Sequence, residues 1–206
     1  INFVPNYRHI LFNTSMWTIL KIFFFGIGWG IGSVAFGLAL ILLGFSLGYT
    51  LMMGLIAIIG ALVPLLVANP SALFSDGGRY ILYALFVSVL GIFLCGKAGK
   101  AREKNVSVIT ANKFKYRKGV ILSFIAGIFS SMLNFAFEAG NTLREQALLQ
   151  FGTTSVQSNA LVWLIALSGG CIPFIIYCVY LLSKNSSWNK FTGIGWARNF
   201  ILALLM

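Results

Sequence analysis

The chain has 206 residues, 59% of them apolar and 9% charged, with a mean hydropathy of +0.91. A water-soluble fold of this length has no core that could hide so much apolar surface, so lipid must solvate much of it. The net charge of +11 does not indicate a nucleic-acid partner, because the cations stand between apolar runs, where membrane topology accounts for them.

The chain begins at Ile1, with no initiator Met and no cleavable leader, and stops at Met206 a few residues into an apolar run. It therefore reads as a piece of a longer protein. The first span is expected from about Trp17 to residue 44, with Lys21 snorkelling to an interface. Its stretch 23–44, FFFGIGWGIGSVAFGLALILLG, is threaded with glycine. At 3.6 residues per turn, Gly26, Gly30, Ser33, Gly37 and Gly44 share one narrow stripe, with Trp29 at its edge. Each such glycine costs a soluble helix about 1 kcal/mol relative to Ala. In a bilayer the same residues let two helix backbones approach closely, so Gly26, Gly30, Ser33 and Gly37 are read as a packing face.

The second span, residues 45–69, carries no charge, is broken by Pro64, and has a small face at Thr50, Gly54, Ala57 and Ala61. The third, residues 80–96, is about the shortest that crosses the hydrocarbon. The segment 97–118 then sets Lys97, Lys100, Arg102, Lys104, Lys113, Lys115, Arg117 and Lys118 against one acid, Glu103. That excess marks a cytoplasmic loop. Counting spans from it puts the nearly neutral segments 70–79 and 140–157 outside and 184–196, with Lys184 and Lys190, inside. The basic segment also divides the chain into 17–96, the end of a first half with three spans, and 119–206, the start of a second. Carriers are often built from two inverted halves, although no residue-level repeat links the blocks.

The fourth span, residues 119–139, lines up Ser123, Gly127, Ser130, Asn134 and Glu138 in one quadrant. Such a stripe must face protein or water. Helix packing and a path for a polar solute both satisfy it. Glu138 is the acidic residue within a span, one residue from its end. It is either a wetted interfacial carboxylate or a proton carrier. The fifth span, residues 158–183, aligns Asn159, Trp163, Ala166, Gly170, Pro173 and Tyr177. An aromatic beside an amide suits a sugar, whose apolar ring face stacks while its hydroxyls bond the amide. Trp163 is equally placed for an interfacial belt. Residues 196–206 begin a further span.

Enzymatic readings fail. The GIGWGIG run lacks the strand–turn–helix setting of a dinucleotide loop, His9 precedes the first span, and no zinc-protease, nucleophile-elbow or P-loop motif occurs. Cys95, Cys171 and Cys178 sit in apolar segments without metal-ligand spacing. No catalytic residue, metal or cofactor is expected. The sequon at Asn105 falls in the segment placed inside and carries no weight.

Five stretches in order, FGIGWGIGSVAFGLALILLGFSLG (25–48), DGGR (76–79), GKAGKAREK (96–104), KGVILSFIAGIFSSMLNFAFEAG (118–140) and LSGGCIPFIIYCVYLLSKN (167–185), resemble the bacterial L-rhamnose–proton symporter family. That family belongs to the drug/metabolite transporter superfamily, described as ten helices in two inverted five-helix halves. The resemblance implies the third to seventh helices and the start of the eighth, with the basic segment as the junction. It also implies proton-driven uptake of L-rhamnose or a related sugar across the inner membrane. The expected protein is thus an all-α, polytopic bundle in the bilayer, with five full spans and part of a sixth here, whose partners are a sugar and a proton. Trp29, Asn134, Asn159 and Trp163 are the candidate solute contacts and Glu138 the candidate proton carrier, chosen from the stripes. A metabolite exporter of the same superfamily and a non-transporting scaffold or sensor subunit are the alternatives.

Overall fold

A computed structural model describes residues 7–68, 70–103, 113–191 and 195–205, and the regular structure among them is helical throughout. A short α1 (Tyr7–Asn13) precedes α2 (Met16–Leu43), α3 (Phe45–Ala68) and α4 (Asp76–Glu103). Then come α5 (Lys113–Ser130), α6 (Met132–Ala139), α7 (Asn141–Phe151), α8 (Ser155–Lys184) and α9 (Trp196–Leu205). Among the described residues four stretches are long and apolar enough to cross a membrane: Met16–Leu43, Asp76–Ala98, Tyr116–Phe151 and Ser155–Lys184. Within α3 the shorter stretch Leu47–Val63 is also apolar. Residues 104–112 of the basic segment, with the Asn105 sequon, and 192–194 of the last loop lie outside the described residues.

Two expectations change. The third span is not minimal, because α4 runs for 28 residues and extends past 80–96 at both ends. The segment 140–157 is not a loop: α7 fills Asn141–Phe151 and continues the line of α5 and α6. The joint between α5 and α6 is a single tightened turn. Ser131 donates its hydroxyl to the Ile128 carbonyl at 2.7 Å, and the backbone N–H of Asn134 donates to the Ser131 carbonyl at 3.0 Å. Hydroxyl bonding back onto the preceding turn is a known cause of such bends. Gly152, at φ +61°, ends α7 in a left-handed conformation that favours glycine. Thr154 and Gln157 then close a reciprocal capping box that starts α8.

The bundle is organised around α2, which touches α3, α5, α6 and α8. On one face, a Cβ at Gly26 or Gly30 would collide with the backbone of Ala166 or Gly170 in α8, and one at Gly169 would meet the Phe23 carbonyl. On the other face, Gly28 lies against Met132 and Gly32 against the backbone of Ser130. The pairing order makes α2 and α8 parallel and α2 and α5–α6 antiparallel, as the alternation of basic and neutral loops requires. Gly28 and Gly32 are absent from the sequence-derived stripe because they project about 200–240° from Gly26. Gly37, placed on that stripe, is a correction: it is exposed, with nothing among the described residues within 4 Å of a Cβ, so it lies outside the contact. Ser33 is half-buried and donates to the Trp29 carbonyl at 3.0 Å.

The polar quadrant of the fourth span divides in two. Ser123, fully buried, donates to the Gly119 carbonyl at 3.1 Å; Gly127 packs on Leu55 of α3 and Ser130 on Gly32. These groups serve helix packing. Only Asn134 and Glu138, further along, are exposed. The core proper lies at that same end, where Ile10, Ile22, Leu143 and Val162 are buried together. By contrast, none of the apolar window of α4 is buried.

Gly26→Val and Gly30→Val are each expected to destabilise the detergent-solubilised protein by about 1–3 kcal/mol or more through overpacking. Gly37→Ala should stay within about 0.5 kcal/mol of the parent. Unfolding midpoints measured side by side check both.

Candidate functional site

The five residues singled out for transport do not meet in one cavity. Trp29 is half-buried; its ring packs over Gly170 and contacts the Phe174 ring edge-on, with centroids 6.3 Å apart. It thus seals α2 against α8. Asn134 on α6 is exposed, with its amide beside Gly60 of α3, and makes no side-chain hydrogen bond among the described residues. Glu138, one turn further, is exposed too. Trp163 on α8 is 40% exposed and meets Phe137 of α6 edge-on at 5.2 Å. In the fifth-span stripe, Ala166 and Gly170 are occupied by α2, which leaves Asn159 and Trp163 at its N-terminal end.

Asn159 is not an open amide. Its carbonyl oxygen accepts a hydrogen bond from Nη1 of Arg144 at 3.0 Å, while Nη2 of the same guanidinium donates to Oδ1 of Asn141. The Arg144 Nε is buried and has no partner among the described residues. Among the described residues no carboxylate reaches Arg144; the described ion pair, Asp76–Arg79, is exposed at the start of α4. A guanidinium held by two neutral amides keeps its positive charge uncompensated while its orientation is fixed by charge-assisted bonds. Nearby, Thr14 before α2 donates to Gln146 of α7 at 3.2 Å.

Sequence reasoning missed Arg144 because it assigned 140–157 to a loop. Two signals could have found it: NTLREQALLQF is rich in good helix formers, and Gly152 followed by the Thr154–Gln157 box marks one helix end and the next start. Asn141 and Arg144 then stand three residues apart on one helix face.

These residues share the end of the bundle that the loop charges place outside. α6 supplies Asn134, Glu138 and Phe137; α7 supplies Arg144; α8 supplies Asn159 and Trp163. The set offers amide donors and acceptors, a carboxylate, a fixed cation and an exposed indole, which is the chemistry a polyhydroxylated solute needs. A groove of about 530 Å³ lies elsewhere, between α3, α4 and α5, and is lined almost wholly by apolar side chains.

Arg144→Ala and Asn159→Ala should each cost about 1.5–3 kcal/mol, the range for hydrogen bonds to a charged group. The double variant should cost less than the sum, since both remove one bond. Thermal unfolding of the four proteins in one detergent measures this.

The sequence profile of the L-rhamnose-proton symport protein (RhaT) family matches residues 2–206. Among curated proteins, the chain is similar to the L-rhamnose-proton symporter of Escherichia coli strain Crooks, at 29% identity over 97% of this chain and 58% of that protein. It is 34% identical to the symporter of Enterobacter sp. strain 638 over 84% of this chain and 50% of that protein. For the symporter of Salmonella paratyphi A the identity is 30%, over 95% and 56%. The chain thus spans a little over half the length of the curated relatives it matches. No solved structure matches it. With its several apolar helices this is a multi-pass inner-membrane protein, and it belongs to the L-rhamnose-proton symport protein family.

Proposed function

We propose that this protein takes part in proton-coupled uptake of L-rhamnose or a related sugar, as a carrier rather than an enzyme, by alternating access. The observation that carries this reading is the family match along the whole chain, joined by relatives that are each named L-rhamnose-proton symporters. The helical bundle supports it, since its polar groups are gathered at one end and its mid-membrane contacts are made of small residues that can slide. The blocks 17–96 and 119–206 would be parts of the two halves, joined by the basic segment, with α2 as the element that spans their boundary.

Within the site, Asn134 would bond sugar hydroxyls and Trp163 would cover the apolar ring face. Asn159 would act through Arg144, by holding its guanidinium in place. Trp29 would set the spacing of α2 and α8 near the solute path. Glu138 is the proposed proton carrier: its carboxylate is exposed at the outer end, where it would load a proton before the site turns inward.

Proteoliposomes of the intact protein should accumulate labelled L-rhamnose when a proton gradient is imposed and lose that accumulation with a protonophore. Uptake that ignores the gradient would refute symport. Glu138→Gln should abolish gradient-driven accumulation yet retain sugar counterflow, because exchange needs no net proton movement. Asn134→Ala should raise the KM for sugar about tenfold, the equivalent of one lost hydrogen bond to a polar solute.

A further inference from the structure

The groove between α3, α4 and α5 takes no part in the proposed solute site. Its walls are apolar along their length: Leu51 and Leu55 of α3, Ile92 and Phe93 of α4, and Phe124 of α5. At one end, and only there, stand a cation and a phenol, Lys97 near the end of α4 and Tyr116 at the start of α5. Both are exposed, as are Arg117 and Lys118, which follow Tyr116. No acidic residue lines the groove.

Length adds a second constraint. On α3 the groove runs from Leu47, level with Gly96, to Ile58. Eleven residues at 1.5 Å each make about 16 Å, close to half of a hydrocarbon core about 30 Å thick. The groove is therefore one leaflet deep, apolar where acyl chains lie and basic where phosphates lie. The leaflet is the one facing the basic segment 97–118, by its charge the cytoplasmic one. A sugar would leave its hydroxyls unpaired against these walls, whereas an anionic phospholipid matches both ends at once.

We infer that this groove is a binding site for an anionic phospholipid of the cytoplasmic leaflet. One acyl chain lies between α3 and α5, against α4, and the phosphate meets the Lys97 ammonium and the Tyr116 hydroxyl. The bound lipid also ties α4, which has none of its apolar window buried, to the rest of the bundle.

The test uses the intact protein in nanodiscs of mixed phosphatidylglycerol and phosphatidylcholine, with retained lipid counted by mass spectrometry after detergent washing. Phosphatidylglycerol should be retained about fivefold over its share of the bilayer, the factor for one lysine at the phosphate level. Lys97→Ala should remove that preference while phosphatidylcholine is still retained, and Lys97→Arg should restore it. Gly96→Phe, whose side chain would enter the groove, should lower retention of both lipids. Equal retention of the two lipids by the parent protein, or a preference unchanged in Lys97→Ala, would overturn the proposal. So would a photoreactive side chain at Val89 that cross-links to another segment of the polypeptide instead of lipid.

Discussion

Everything in this bundle depends on α2 being able to touch helices at the backbone on two opposite faces. Lipid tails are as apolar as leucine, so no water is released when two such helices meet, and attraction has to come from close packing. Gly26 and Gly30 give that closeness to α8, and Gly28 and Gly32 give it to α5 and α6. A helix with glycine at alternate positions over this stretch has no side chains to hold either neighbour away. Its propensity cost is met by dispersion contacts that larger residues would prevent.

This constraint also sorts the polar groups. The Ser123 and Ser131 hydroxyls bond back to their own helix, at the Gly119 and Ile128 carbonyls, and so disappear into the packing. Polar groups beyond the reach of α2's glycines stay accessible, which is why Asn134, Glu138 and Trp163 lie at one end. At that end Arg144 is oriented by amides, and no acid pairs with it among the described residues.

The membrane class, the helix order and the antiparallel and parallel directions were readable in the sequence, because apolar length and loop charge act over whole spans. The face formed by Gly26 and Gly30 was readable because a spacing of four residues marks one side of a helix. The second glycine face was not, because choosing one stripe discards the residues half a turn away. Gly37 shows the converse: periodicity places a residue on a face but does not say where the neighbouring helix ends. The Ser123–Glu138 quadrant left packing and solute path open, and the structure assigns its serines to packing. Arg144, at the candidate site, is hidden in the sequence because α7 is too polar to read as a span and its segment reads as a loop.

Cysteine cross-linking tests the two-faced role of α2 most directly. In a background with Cys95, Cys171 and Cys178 replaced by Ser, two pairs are introduced: Trp29→Cys with Phe174→Cys, and Phe25→Cys with Phe135→Cys. The parent rings lie 6.3 Å and 5.8 Å apart, across the α2–α8 and α2–α6 contacts respectively. Both pairs should be joined by a short thiol cross-linker in native membranes, and a Gly37→Cys with Phe174→Cys pair should not. Failure of either contact pair would contradict the account, since α2 would then lack one of the two neighbours on which the fold rests.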